Sequence, residues 1–104
     1  MSSTMLQNEI NIIPLSSAFA YHRFRVQLGN HYLIFRLRWL TLYRYFCVDI
    51  YEEGEPVTLG RALLPGINLL DGLNTGIGTI VLRGDEPTPD NLGIDNQLQW
   101  VEHE

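Results

Sequence analysis

The chain has 104 residues and a formal net charge of −5, which leaves room for one domain with a single modest core. Its charge is uneven, because residues 1–47 carry a net charge of +4 and residues 48–104 a net charge of −9. The acidic total argues against a general nucleic-acid binder, which normally has a basic domain. No stretch approaches the roughly 20 apolar residues of a membrane span. The polar N-terminus lacks the basic and apolar regions of a signal peptide, so none is expected.

Residues 1–9 are predicted to form a flexible lead, followed by a single β domain over residues 10–104. The first strand is expected at Glu9 to Ile13 and ends before Pro14. The most regular stretch of the chain follows, from Phe24 to Tyr51, where apolar and polar residues alternate. Alternation with period two is typical of half-buried antiparallel strands, because successive side chains point to opposite faces of the sheet.

Gly29-Asn30 is a dipeptide that closes two-residue β-hairpin turns. It predicts a hairpin of two strands, Tyr21–Leu28 and His31–Trp39. A two-residue turn also determines the register of the hairpin. Phe24 should therefore lie opposite Phe35 on the core face.

The second half of the chain contains shorter predicted elements. Further strands are expected at Tyr43–Tyr51, Val57–Leu64, Thr79–Arg83 and Gln97–Val101. Gly60 indicates a possible bulge, because glycine inside a strand often marks one. Asn68–Leu73 predicts one short helical turn, capped by the Asn68 side chain and too short to be stable alone. Together these elements predict an all-β fold, a small single-domain β-barrel or sandwich of about six short antiparallel strands.

The outer face of the predicted hairpin carries a cluster of basic and aromatic side chains: Arg23, Arg25, Tyr32, Arg36 and Arg38. Arginine forks pair well with carboxylates at protein interfaces, and arginine with aromatic residues on a sheet face can also hold single-stranded nucleic acid. The register sets Arg23 opposite Arg36, a destabilising pair of like charges. We expect an anionic group to neutralise it. The candidates, in order, are the acidic half of the chain, a neighbouring protein and a phosphate backbone.

No catalytic or metal-binding constellation is evident in the sequence. His22, His31 and His103 are scattered, whereas a metal site needs clustered donors. The lone Cys47 has no partner for an internal disulfide, which suits a reducing cytoplasm, and is expected to fill a strand position. A small hydrolase would need a nucleophile beside a base, and no such pair is found. We therefore expect a protein that is not an enzyme and has no metal or other cofactor.

The segment Leu59–Leu70, LGRALLPGINLL, resembles a family of small tailed-phage proteins, the baseplate plug proteins of contractile tails. Other segments resemble the family in the same order along the chain: Phe24–Asn30, Arg44–Tyr51, Gly84–Gly93 and Leu98–Val101. The resemblance covers roughly residues 10–101. Each segment is weakly specific by itself, and their ordered combination is fairly specific.

The resemblance implies a structural virion component at the centre of the tail baseplate, made in the host cytoplasm and without enzymatic activity. Its partners would be the hub and the inner tube or tube-initiator proteins. Three copies would suit a trimeric hub, with six as the alternative given by tail symmetry. Relatives carry polar residues in the turn after Trp39, whereas this chain has Leu40-Thr41-Leu42.

Two further pairs of residues are interface candidates. Leu40 and Leu42 at a strand-connecting turn could form a contact surface, because exposed apolar patches often do; alternatively, they complete the core. Pro87 and Asn91 lie in a loop that is either a rigid turn set by proline and Asx hydrogen bonds or a docking loop for the hub. The alternative function is a single-stranded nucleic-acid-binding β-barrel that uses the Arg/Tyr face of the hairpin.

Overall fold

The structure is a computed structural model that describes residues 10–102. These residues form two antiparallel sheets and no helix. The seven strands are β1 (Ile10–Ile13), β2 (Tyr21–Leu28), β3 (His31–Leu40), β4 (Tyr45–Glu52), β5 (Glu55–Ala62), β6 (Gly78–Gly84) and β7 (Asn96–Glu102). One sheet has the strand order β2-β3-β4-β5 and the other β1-β7-β6. The predicted lead over residues 1–9 lies outside the described residues, as does His103.

The two antiparallel sheets confirm the all-β prediction. They share one apolar core. Phe35 and Phe46 of the four-stranded sheet and Ile80 of the three-stranded sheet are fully buried in the same cluster. The predicted barrel is not formed, because no strand of one sheet pairs with a strand of the other within residues 10–102. Within residues 10–102, β1 is the only strand that pairs with no sequence neighbour; it joins β7 instead.

The β2–β3 hairpin has the register predicted from its two-residue turn. Phe24 pairs with Phe35, and their rings stack with centroids 5.2 Å apart and an interplanar angle of 9°. Gly29 occupies the turn with a φ of +62°, a conformation that glycine adopts without steric strain. The register also places Arg23 opposite Arg36, as predicted.

Strands β4 and β5 differ from the predicted bounds at their ends. The predicted strand Tyr43–Tyr51 begins two residues later, because the N–H groups of Tyr43 and Arg44 donate to the Leu40 carbonyl in a closed turn. The β4–β5 turn is only Glu53-Gly54, with φ values of +52° and +84°, so β5 begins at Glu55 and not at Val57.

The bulge expected at Gly60 is present. The pairing of β4 with β5 shifts by one residue between Val48 and Ile50, and Gly60 has a φ of +71°. The N–H group of Gly60 donates to Oδ1 of Asp49 at 2.8 Å. The bulge thereby gives the Asp49 carboxylate a backbone donor.

The helical turn predicted at Asn68–Leu73 is not formed. This segment lies beside the free edge of β6, where Leu69 N–H donates to the Ile80 carbonyl. Oδ1 of Asn68 accepts from Leu70 N–H and from Ile80 N–H, each at 3.0 Å. Leu69 N–H and the Asn68 side chain therefore fasten the segment to β6. Its other backbone bonds, from Asp71 N–H to the Asn68 carbonyl and from Leu73 N–H to the Leu70 carbonyl, are isolated turns and not a helix.

Candidate functional site

The outer face of the β2–β3 hairpin carries the arginine cluster predicted from the sequence. We call this surface the arginine face; it comprises Tyr21, Arg23, Arg25, Tyr32, Arg36 and Arg38. Tyr21 was not among the predicted residues, although it has the same strand parity as Arg23 and pairs with Arg38. Period-two alternation extended to the first residue of β2 would have found it.

One acidic side chain of the central strand lies within the arginine face. Asp49 on β4 pairs with Arg36, and its Oδ2 is 3.9 Å from Nη2 of Arg38. Asp49 is buried on β4 between β3 and β5, and its Oδ1 accepts from Gly60 N–H. Within residues 10–102, no carboxylate lies within 4.0 Å of Arg23 or Arg25. Among these described residues, the acidic half of the chain thus compensates the face with one aspartate.

Arg36 lies at the centre of this surface and is half-buried. The phenol of Tyr21, foremost, and that of Tyr51 raise the pKa of Arg36 above its ordinary value. Nη1 of Arg36 donates to the Tyr51 hydroxyl at 3.4 Å. Its Nε is buried and has no acceptor among the described residues. The guanidinium therefore stays charged and retains an unused donor.

The β3–β4 turn forms a second surface, the hairpin tip, which consists of residues 40–44. Leu42 is 83% exposed and Tyr43 67% exposed, whereas Leu40 is half-buried at the end of β3. Neither leucine belongs to the buried core. Two hydrogen bonds to the Leu40 carbonyl, from Tyr43 N–H at 3.1 Å and Arg44 N–H at 2.6 Å, hold the turn closed. The exposed Leu42 is thus presented by a well-defined turn.

The loop that contains Pro87 and Asn91 is held by its own hydrogen bonds. Asn91 Oδ1 accepts from Thr88 N–H at 2.8 Å, and its Nδ2 donates to the Glu86 carbonyl at 3.0 Å. Pro87 is buried. These contacts agree with the rigid-turn interpretation and leave little of either side chain for a partner. Pro87 and Thr88 border a crevice with Arg44, so this loop and the hairpin tip lie at the same end of the molecule.

A cleft lies beside the start of β3, at the opposite end of this strand from the hairpin tip, on the outer face of the four-stranded sheet. We call it the outer cleft; its lining includes Arg25, Gln27, Tyr32, Ile34 and Glu53. Its volume is about 400 Å³, and most of its lining is apolar. Sequence reasoning missed it because Glu53 comes from a different hairpin, and only the pairing of β3 with β4 brings that turn beside Tyr32.

Other polar clusters in the described part of the chain are small. Nδ1 of His31 lies 2.7 Å from Oε2 of Glu52, which joins the start of β3 to the end of β4. Residues 10–102 contain no group of three or more side chains arranged to hold a metal ion. Cys47 is a free, buried cysteine on β4, as predicted. Over the same residues there is no helix of the length and apolar character needed to cross a membrane.

The two-sheet fold defines a small all-β protein, which carries an arginine face with one neighbouring aspartate and an exposed apolar hairpin tip. A family model described as cyanophage baseplate Pam3 plug gp18 matches residues 10–103, nearly the whole chain. The chain therefore belongs to this family, as its resemblance to the baseplate plug proteins indicated. It is accordingly a structural protein of the virion, located in the tail baseplate. No curated protein matches the chain at a significant level.

Proposed function

We propose that the protein is a structural plug at the centre of the baseplate that binds the hub and the inner tube or tube-initiator proteins. The observation that carries the proposal is the hairpin tip, where Leu42 is 83% exposed on a closed turn. Tyr43 beside it is 67% exposed, so the tip presents an apolar patch, and such patches often form contact surfaces. Burial of a leucine in a partner would contribute about 1.5–3 kcal/mol.

The arginine face supports the same role. Arg23 and Arg25 have no carboxylate partner among residues 10–102, so an acidic surface on a neighbouring protein would complete their pairing. Such charge complementarity gives register and partner choice more than affinity. Three copies of the plug would suit a trimeric hub, and six copies are the alternative. The chain would be made in the host cytoplasm and incorporated during tail assembly.

The substitution Leu42→Asp should leave the isolated protein folded but greatly reduce its incorporation into baseplates, because a charge at the tip opposes burial in an apolar contact. The measurement is the amount of plug in baseplates purified from a complementation experiment. Leu42 is replaced alone and not together with Leu40, because Leu40 is half-buried and its replacement would also affect stability.

Leu59→Asp is the matched control, because Leu59 is also exposed, at 56%, but lies on β5 away from the tip. It should incorporate as the unmodified protein does. Normal incorporation of Leu42→Asp, with its fold confirmed by circular dichroism, would show that the tip is not an interface.

The alternative function, single-stranded nucleic-acid binding, has one observation in its favour: Tyr21 and Tyr32 are 50% and 59% exposed beside the arginines. Against it stands the net charge of −5. We expect a fluorescently labelled oligothymidylate to show no binding by anisotropy at low salt. Binding that weakens steeply with added salt would instead support the alternative, because phosphate contacts release counterions.

A further inference from the structure

We infer that the free edge of β2 binds an extended acidic segment of a neighbouring baseplate protein, which adds a fifth strand to the four-stranded sheet. This inference rests on the proposed function and names the kind of partner that the arginine face takes. β2 is the first strand in the order β2-β3-β4-β5, and within residues 10–102 it pairs with β3 alone. When a peptide adds to a sheet edge, main-chain hydrogen bonds supply affinity and alternate side chains supply specificity.

The backbone of β2 leaves every second residue available to another strand. Trp39 N–H donates to the Ala20 carbonyl at 2.7 Å, in the same register as the hairpin. Hydrogen-bonded and non-hydrogen-bonded pairs alternate in an antiparallel ladder, so the even-numbered residues of β2 bond to β3. The odd-numbered residues, which include Arg23 and Arg25, direct their N–H and C=O groups to the free edge. No other segment of residues 10–102 forms a backbone hydrogen bond with them.

A groove runs along this edge, with a volume of about 420 Å³. Its lining comes from the connection before β2 and from β2 itself: Pro14, Ser16, Phe19 and residues 21–25. Consecutive strand residues point to opposite faces of the sheet, so a groove lined by all of them lies along the edge and not over one face. The outer cleft continues it, because Arg25 borders both and the cleft extends to Gln27. An extended segment thus has space beside most of β2.

The charge of the edge selects an acidic segment. Arg23 and Arg25 are exposed and have no carboxylate partner among residues 10–102. In an antiparallel fifth strand, the two residues hydrogen-bonded to them are two positions apart and point to the arginine face. Carboxylates there lie directly opposite the arginines, which is a stabilising cross-strand arrangement. The residue between them points to the other face, where Phe24 is half-buried, so the predicted motif is acidic-apolar-acidic.

Two other occupants fit this edge less well. A second copy is opposed by charge, because two β2 strands paired over residues 21–27 set Arg23 of each opposite Arg25 of the other. A nucleic-acid backbone is opposed by hydrogen bonding, because a strand edge presents both donors and acceptors, whereas a phosphate group only accepts. A peptide backbone supplies both kinds of group.

The other sheet edges within residues 10–102 are protected or short. β5 carries Pro56 and the bulge at Gly60, and the carbonyl of Ile80 on β6 already accepts from Leu69 N–H. Prolines, bulges and covering segments are the usual protection of sheet edges. β1 has four residues. β2 has eight residues in regular register with β3, without a proline or a bulge, and is therefore the edge suited to strand addition.

The test uses the purified chain and a fluorescein-labelled peptide with the predicted motif, Thr-Val-Asp-Val-Asp-Val-Thr. We expect saturable binding by fluorescence anisotropy below roughly 1 mM protein. Replacement of both aspartates of the peptide by asparagine should weaken binding at least roughly tenfold, because two cross-strand charge pairs are lost. Absence of binding in this range, or binding of oligothymidylate and not of the peptide, would overturn the inference.

N-methylation of the peptide separates strand addition from simple charge attraction. A methyl group on the nitrogen of the first aspartate keeps both charges but removes an N–H group that bonds to β2, so binding should fall roughly tenfold. A methyl group on the nitrogen of the central valine is the matched control, because that N–H points away from β2, and binding should stay within about threefold. Equal effects of the two methyl groups would contradict the added strand.

A charge reversal in the protein tests the position of the contact. Arg25→Glu should weaken binding of the peptide roughly tenfold, because it replaces an attractive pair by a repulsive one. Arg83→Glu is the matched control, since Arg83 is also exposed but lies on β6 in the other sheet, and its effect should stay below about twofold. Equal weakening by both variants would mean that the peptide responds to net charge and not to the β2 edge.

Amide hydrogen exchange measured by NMR reports who occupies the edge. The amides of Arg23 and Arg25 should exchange rapidly in the free chain and more slowly when the peptide is bound. Slow exchange at both amides before the peptide is added would mean that another part of the chain covers the edge, and would overturn the inference.

These outcomes separate the inference from the proposed function. If the peptide does not bind but Leu42→Asp still prevents incorporation into baseplates, the structural contact of the hairpin tip stands and the strand addition is wrong. If the peptide binds as predicted and Leu42→Asp incorporates normally, the strand addition stands and the tip is not the interface.

Discussion

Replacement of Phe35 by alanine should lower the free energy of unfolding by about 3–5 kcal/mol. Phe35 is fully buried at the centre of the four-stranded sheet and stacks on Phe24 with ring centroids 5.2 Å apart. Its removal leaves a cavity between two sheets that pack on a single core. Since a domain of this size is stable by about 5–15 kcal/mol, the variant should be close to unfolding. Chemical denaturation followed by tryptophan fluorescence gives the value.

Phe19→Ala provides the matched control for this prediction, because Phe19 is 57% exposed in the connection before β2. Its loss should change stability by less than about 1 kcal/mol, as surface substitutions usually do. Equal destabilisation by the two substitutions would mean that Phe35 does not form the centre of the core.

Gly84→Ala should destabilise the protein by more than about 3 kcal/mol, through a steric clash and not through lost contacts. Gly84 ends β6 with a φ of +111°, a conformation that residues with a side chain rarely adopt. A methyl group there would lie 2.5 Å from the Asp95 carbonyl oxygen and 2.8 Å from Cα of Asn96. Both neighbours are backbone atoms of the paired segment, so neither can move without disturbing the β6–β7 pairing.

Gly72→Ala separates the clash from the backbone conformation. Gly72 also has a positive φ, of +81°, but a methyl group on it would meet nothing within 4 Å. This substitution should therefore cost about 1–2 kcal/mol, the penalty of the left-handed region alone. Thermal unfolding of both variants by circular dichroism is the measurement. Similar melting temperatures would contradict the close approach at Gly84.

Local patterns in the sequence accounted well for the β2–β3 hairpin. A two-residue turn at Gly29-Asn30 and alternation with period two were sufficient to place Phe24 opposite Phe35 and Arg23 opposite Arg36. The same local reasoning failed at Asn68, where the capping preference of asparagine indicated a helical turn. Its Oδ1 does accept locally from Leu70 N–H, but it also accepts from Ile80 N–H, twelve residues away, and no local pattern reports so distant a donor.

The candidate site was predictable only in part. The arginines and Tyr32 of the arginine face follow from strand parity within one hairpin, and the structure places them together. For Leu42, contact surface and core were both open alternatives; the structure places it in the β3–β4 turn, where it is exposed. The outer cleft could not be foreseen, because Glu53 reaches it through the pairing of strands that follow the hairpin.

The amino-acid sequence alone determined the all-β class, the hairpin register and the family resemblance, because these depend on residue order, side-chain parity and turn length. The tertiary structure decided the division of the strands into two open sheets. It decided the pairing of β1 with β7 as well, because that pairing joins residues about 90 positions apart. It also decided that Asp49, on the outward side of β4, is buried. Alternation assigns a side chain to a face, and only the neighbouring strands determine whether that face is open to water.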